Sequence, residues 1–498
     1  MTLSRPASFN SKVRQRLFPV HSHEFPKFFS LNFIHVFVVV NYWLLHNLKD
    51  TLVVATAGSG SEVINYLKVF GVFPASIAFV IAFSWLSNRY TQRALFHGIL
   101  AVFLAFFLIF IVFIHPHLDV LHWSQEQLQN YKDLYPRFRW FFPIIAYWSY
   151  SLLYVMAEMW SAIVLTFLFW QFANQITPVE QARRFYMLIA SFSSIGMLIA
   201  GGLTKSVQIL FPNNIDGQIN FLMSTTVFFI VAIMVLYHWM QKNVVEDRQH
   251  YHPDHGAPTK KNKIKMSLMQ SLKYIFKSDY LAYIAILGIS YNISVNFVEV
   301  TWKNQVRQMY PDKQDYLSFM GDYNLIFAVI IFFTGFLGSS FVRKFSWRQS
   351  AMVTPFVSVA TAMLFFVIAL YGESCGPLFG FFGVTAIVGS CWIGLLQNLA
   401  AKTCKYSFFN TTREMSYIPL DAELRVKGKA AVDVLSGRIG KLGGSGIQGM
   451  LLVLIPGSTQ ISIAPYLALC AFAIFFLWSW AIKRMSHKLD ALTDKPAV

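Results

Sequence analysis

The chain has 498 residues, of which 55% are hydrophobic, 17% aromatic and 13% charged, about half the roughly 25% charge with which a soluble globular protein covers its surface. An ordinary water-soluble enzyme is thereby excluded. The 41 Lys and Arg outnumber the 24 Asp and Glu to leave +17, a balance open to nucleic acid, anionic lipid or an anionic substrate until the charges are placed.

A membrane helix needs about 20 mostly apolar residues. Twelve segments qualify: 28–48, 64–86, 94–114, 140–172, 184–210, 221–240, 277–302, 322–342, 350–371, 377–401, 429–455 and 462–483. The expected fold class is an all-α polytopic membrane protein with twelve transmembrane helices. They form two six-helix halves, 28–241 and 276–484, with an arm 1–27, a basic linker 242–275 and a tail 485–498. The arm lacks the short apolar stretch and small-residue cleavage site of a signal peptide. It is also short for a plastid transit sequence, so a bacterial inner membrane is the expected location. Cys375, Cys391, Cys404 and Cys470 have no close partners in sequence and read as apolar fillers, not as a disulfide framework or zinc site.

Lysine and arginine concentrate in the arm, the linker, the tail and alternate loops, whereas FPNNIDGQIN, YGESCGP and IPGSTQISIAPY carry neither. The positive-inside bias then puts both termini in the cytoplasm. Most of the net charge is explained as topology, and nucleic acid is not an expected partner.

Charges inside the spans are the informative ones, because each costs several kcal/mol unless it faces a cavity or a partner. The first span ends in Lys49-Asp50; Lys49 either serves an anionic substrate or snorkels to the interface. In the fourth span, Tyr147, Ser151, Tyr154, Glu158 and Ser161 recur at spacings of one helical face. A cavity-lining Glu158 is preferred there to one held in structural hydrogen bonds. The seventh span repeats the pattern with Asn292, Asn296, Glu299 and Lys303, where Glu299 and Lys303 also suit a structural i,i+4 pair.

Segment 405–427 is basic and amphipathic, with Pro419 inside it, and is expected on the cytoplasmic face. In the eleventh span, Lys429, Asp433, Gly437, Gly440, Lys441, Gly444 and Gln448 share roughly a third of the helical wheel, with Arg438 just beyond. This face either offers cations to an anion or packs closely through its small residues. Lys49, Lys303, Arg438, Lys441 and one of Lys427 and Lys429 outnumber Glu158, Glu299 and Asp433, so a net cationic interior is expected. Such an interior suits a polyphosphate. GRIGKLGG lacks the phosphate-loop pattern, and neither HExxH nor GxSxG occurs. A nucleotide is therefore read as cargo and not as fuel: no enzyme activity, cofactor or metal is expected, and the protein is read as a monomer in the lipid bilayer.

LSNRYTQR after the second span and FVRKFSWR after the eighth each place two cations similarly, and Lys49 and Lys303 end corresponding spans. Two parallel six-helix repeats are the arrangement of the major facilitator superfamily, an analogy of fold that specifies no substrate.

Four long blocks, LKDTLVVATAGSGSEVINYLKVFGVFPASI, LLYVMAEMWSAIVLTFLFWQFANQITPVEQARRFY, NFVEVTWKNQVRQMYPDKQDYLSFMGDY and REMSYIPLDAELRVKGKAAVDVLSGRIGKLGGSGIQ, closely resemble the nucleotide transporter (ATP/ADP translocase) family of intracellular bacteria and plastids. The likeness runs in the same order over most of the chain. It is unlike the six-span, threefold-repeated mitochondrial carriers. The resemblance implies exchange of host ATP for ADP, or proton-coupled import of several nucleoside triphosphates as the alternative. It also implies functional roles for Lys49, Glu158, Glu299 and either Lys427 or Lys429. Arg413 stands where many relatives have Lys, and the loop after the third span is long. Alternating access is expected, with Lys49, Lys303, Arg438 and Lys441 on phosphates and Tyr147, Tyr154 or Trp302 available to stack on the base.

Overall fold

A computed structural model describes residues 20–245, 278–372, 374, 379, 381, 383–420 and 429–493. The described residues are helical, with no strand, as expected of a chain that must satisfy its backbone polar groups inside a bilayer. Twelve long helices succeed one another: α1 Phe25–Val54, α2 Glu62–Phe83, α3 Gln92–Leu121, α4 Trp148–Ile176, α5 Val179–Leu210, α6 Ile215–Val245, α7 Asp279–Met309, α8 Lys313–Lys344, α9 Trp347–Tyr371, α10 Ala386–Cys404, α11 Lys429–Leu454 and α12 Ala464–Thr493. Among the described residues, ten of these are long and apolar enough to cross a membrane; α10 and α11 stand where the tenth and eleventh spans were expected. Large side chains such as Phe113, Phe228, Val235, Phe333 and Phe356 remain exposed on the helices, a surface that suits lipid and not water.

Three boundaries differ from those read in the sequence. The fourth span does not begin at 140, because Pro143 starts a short helix, Phe142–Ala146, and Tyr147 leaves helical geometry before α4 begins. Apolar composition alone does not register that break. The eighth helix starts at Lys313, well before 322; Tyr316, Leu317, Phe319 and Met320 of its first turns are buried, while Lys313 and Gln314 are half-buried and Asp315 is exposed. The tenth runs on to Cys404 and so carries Lys402 in its last turn.

The long connection after α3 is itself structured. Helix Gln125–Leu134 is opened by a capping box between Ser124 and Gln127, a device worth about 1 kcal/mol. Lys132 Nζ donates to the Gly58 carbonyl, and Trp140 Nε1 donates to the Ser458 carbonyl at 2.8 Å. Gly58 adopts φ +70°, and a Cβ there would meet Leu128 at 2.8 Å, so both conformation and space call for glycine. Burial, with Arg139 and Arg307 nearby, brings the Lys132 ammonium down to about 8, against the pull of Glu62 and Asp133. Burial likewise pushes His122, hydrogen-bonded to Ser149 Oγ at 2.7 Å, down to about 4.

The contacts divide the chain into two compact units. One comprises Met1–His46, Phe83–His115 and Ala157–Lys261; the other comprises Asn47–Ala82, Pro116–Met156 and Asn262–Val498. In the first, Trp160 Nε1 donates to the Val38 carbonyl and Asn41 Nδ2 to the Thr226 carbonyl, both at 3.2 Å. Arg184 grips Glu24 through two hydrogen bonds of 2.7 and 2.9 Å, a bidentate geometry that favours arginine. In the second, α7 packs along α11 and α12, and a core of Tyr280, Leu281, Ile284, Tyr291, Val432 and Trp478 joins them. Phe409, Tyr417 and Leu420 of the basic segment after α10 insert into the same core.

Candidate functional site

The second unit contains a chain of charges that crosses four of its helices. Lys49 and Asp50 lie in the last turns of α1, Glu299 and Lys303 on α7, Tyr323 on α8 and Lys402 on α10. Asp50 sits between two ammonium groups, Lys49 Nζ at 2.9 Å from Oδ1 and Lys303 Nζ at 2.8 Å from Oδ2. Glu299 Oε1 lies 3.7 Å from Lys303 Nζ and 3.5 Å from Lys402 Nζ. Lys402 Nζ donates to the Tyr323 hydroxyl at 2.9 Å, and Lys49 Nζ stands 4.2 Å from the centre of the Tyr154 ring. Lys49, Lys303 and Lys402 are thus each held close to a carboxylate, Asp50 or Glu299, in a setting where buried ions need close partners.

Of the residues singled out in the sequence, Lys49, Glu299, Lys303 and Tyr154 therefore belong to one network. Lys49 is no interface lysine: its side chain is 3% exposed and paired with Asp50. Glu158 is half-buried on α4 and belongs to the other compact unit; the wide π-helical turn Trp160–Leu168 follows it immediately, a distortion frequent near functional residues. Tyr147 stands outside the helical face proposed for it. Its hydroxyl donates to the Ala57 carbonyl at 2.9 Å and accepts from Gln125 Nε2 at 2.7 Å.

Asn296 takes a packing role. Its Oδ1 accepts from Gln448 Nε2 at 2.8 Å and Ser445 Oγ at 3.2 Å, tying α7 to α11. The glycine face of α11 is used for close approach: a Cβ on Gly440 would lie 2.5 Å from Asn292 Cβ, and one on Gly444 would lie 3.0 Å from Asn296 Cβ. Small-residue packing is thus what Gly440 and Gly444 serve. Lys441 stays exposed and Arg438 half-buried on the same helix. Lys427 lies outside the described residues, and Lys429 and Asp433 are placed on α11 without described side chains. Trp302 is not available to stack on a base. It is 1% exposed, donates to the Cys391 carbonyl at 2.9 Å and packs against Phe319 and Tyr323.

Asp50, Lys402 and Tyr323 were not picked out from the sequence. Asp50 carries a readable signal, since a second charge beside Lys49 inside an apolar run needs a partner. Lys402 and Tyr323 had none: Lys402 lies just beyond the apolar run 377–401 and reads as the start of a loop, and Tyr323 is an uncharged aromatic at the start of the run 322–342.

The TLC ATP/ADP transporter family profile matches residues 3–489. ADP,ATP carrier protein 1 of Rickettsia prowazekii (strain Madrid E) is 35% identical over 501 residues, covering 99% of this chain and 99% of its own. The protein of the same name from Chlamydia pneumoniae is 36% identical, covering 94% of this chain and 92% of its own. Among solved structures, a bacterial homologue of the iron transporter ferroportin superposes with TM-score 0.61 at 12% identity, over 94% of this chain and 100% of its own. The nucleoside transporter NupG does so at 0.51 and 13%, over 92% of this chain and 99% of its own. Those likenesses establish a major-facilitator-like fold and nothing about cargo. Similarity to the carriers is of another order, running end to end at about one residue in three, and on that ground the chain belongs to the TLC ATP/ADP transporter family.

Proposed function

We propose that the protein exchanges ATP for ADP across a bacterial inner membrane by alternating access, with both termini cytoplasmic and the nucleotide as cargo. The observation that carries the cargo reading is the buried network of Lys49, Lys303 and Lys402 around Asp50 and Glu299. Ammonium groups held within a span by carboxylates can trade those partners for phosphate oxygens at modest cost, whereas bare buried cations could not persist between cycles. The names of the rickettsial and chlamydial relatives, ADP,ATP carrier proteins, supply the nucleotide. Orientation follows from the Lys and Arg of alternate loops.

In this reading Lys49 and Lys303 contact phosphates, joined by Arg438 and Lys441 of the eleventh span and by Lys427 or Lys429. Glu158 and Glu299 hold cations when the site is empty or gate it, and Tyr154 contributes an aromatic face. Uptake of labelled ATP into proteoliposomes is the test. Internal ADP should accelerate it strongly and an imposed pH gradient should not; the reverse result would make the protein a proton-coupled importer. Lys49→Ala and Glu158→Gln should each lower exchange by more than about tenfold with the protein still inserted. Near-normal exchange in either variant removes that residue from the site.

A further inference from the structure

The charge network is uneven, and its unevenness singles out one member. Asp50 is fully enclosed, and Lys49 and Lys303 are each 3% exposed and held to it at 2.9 and 2.8 Å. At the other end Glu299 and Lys402 are each 17% exposed and stand 3.5 Å apart, a longer and weaker contact than either of Asp50's. An anion entering the site thus meets Lys402 at the accessible edge of the network, and the bond it must displace there is the looser one. Tyr323 keeps the ammonium in place: its hydroxyl accepts from Lys402 Nζ at 2.9 Å, and the Tyr323 and Phe327 ring centres lie 5.3 and 5.9 Å away. Tyr323 is 2% exposed, stacks on Phe327 and packs tilted against Trp302, so its hydroxyl is a fixed point.

We propose that Lys402 of α10 is a cargo-contacting residue that leaves Glu299 for a phosphate of the bound nucleoside polyphosphate, with Tyr323 as the positioning residue that aims its ammonium. This rests on the reading that the network around Lys49 and Glu299 is the cargo site. Glu299 then serves as the resting counter-ion of Lys402, and the same carboxylate is returned to Lys303 or to solvent while cargo is bound.

ATP/ADP exchange in proteoliposomes tests this with Lys402→Gln, Lys402→Arg, Glu299→Gln and the double variant Lys402→Gln/Glu299→Gln. Lys402→Gln should raise the apparent KM for ATP at least tenfold, Lys402→Arg should recover most of that loss, and the double variant should recover none. A wild-type KM in Lys402→Gln overturns the proposal. So does recovery of exchange in the double variant, because Lys402 would then serve only to neutralise Glu299. Tyr323→Phe should raise KM a few-fold with the maximal rate preserved; a fall in rate at unchanged KM would make Tyr323 structural.

A second measurement starts from inserted protein. In Lys402→Cys, an aminoethyl methanethiosulfonate should restore exchange by rebuilding the ammonium, and saturating ATP should slow that modification; modification equally fast with and without ATP overturns the assignment. Failure of the underlying cargo-site reading has a different signature, namely Lys49→Ala and Glu299→Gln exchanging at the wild-type rate while Lys402→Gln does not.

Discussion

Asp50 holds two lysines from different helices, Lys49 and Lys303, through its two carboxylate oxygens, and is itself fully buried. Removing one partner of a buried ion pair leaves the others uncompensated, at a cost of roughly 3–5 kcal/mol. Asp50→Asn should therefore lower the melting temperature of the solubilised protein by several degrees as well as abolish exchange. Asp50→Asn combined with Lys303→Met should restore much of the stability and none of the exchange. An Asp50→Asn variant as stable as the wild type would mean that solvent, and not Asp50, neutralises the lysines. Individual residues were legible in the sequence where a charge interrupts an apolar run, as with Lys49, Glu299 and Lys303. The partners of those charges were harder to read. Lys402 comes to Glu299 from a helix 103 positions away, a pairing that one-dimensional spacing does not encode. Trp302 failed for the opposite reason: an aromatic on a polar-looking helix was offered as a base-stacking group, yet its ring fills the space left open by Gly394.

Helix α11 carries glycines and cations together along its length. Its glycines were legible as one face, and both uses of that face, cation display and close packing, were on offer. The structure gives Gly440 and Gly444 to packing against Asn292 and Asn296, and Gln448 to hydrogen bonding with Asn296. Adding a methyl group where a Cβ would sit 2.5 Å from another Cβ forces the helices apart, and overpacking of this kind costs about 1–3 kcal/mol. Gly440→Ala should accordingly destabilise the protein measurably in a thermal melt. Gly443→Ala, whose Cβ would meet Ile293 Cδ1 at an ordinary 3.6 Å, should instead stabilise slightly, by up to about 1 kcal/mol of helix propensity. Equal effects at the two positions would indicate that helix propensity, not contact with α7, governs them, since both substitutions favour the helix alike. Helix ends were the weakest part of the sequence reading. The break before α4 follows from Pro143 and from the docking of Trp140 on Ser458, a long-range contact that hydropathy does not carry.

For the whole molecule, the +17 of the sequence divides into loop charge and a small residue of cations inside the spans. Only the second part bears on cargo. In a completed transport cycle the protein's own charges return to their starting places, so neither Asp50, Glu299 nor any lysine adds to the charge moved. What crosses is the difference between ATP and ADP, about one negative charge per exchange. An inside-negative potential of about 100 mV opposes ATP entry by ~2.3 kcal/mol, which shifts the equilibrium ratio of the two nucleotides across the membrane roughly fifty-fold. Proteoliposomes loaded with ADP and clamped by a potassium gradient with valinomycin should accumulate less ATP when the interior is negative and more when it is positive, with ADP-for-ADP exchange showing no bias. An ATP/ADP ratio indifferent to potential would require a proton to accompany ATP on each turn. The carboxylates to examine as its carrier would then be Glu158, half-buried in the first unit, and Glu299, at the accessible edge of the network in the second.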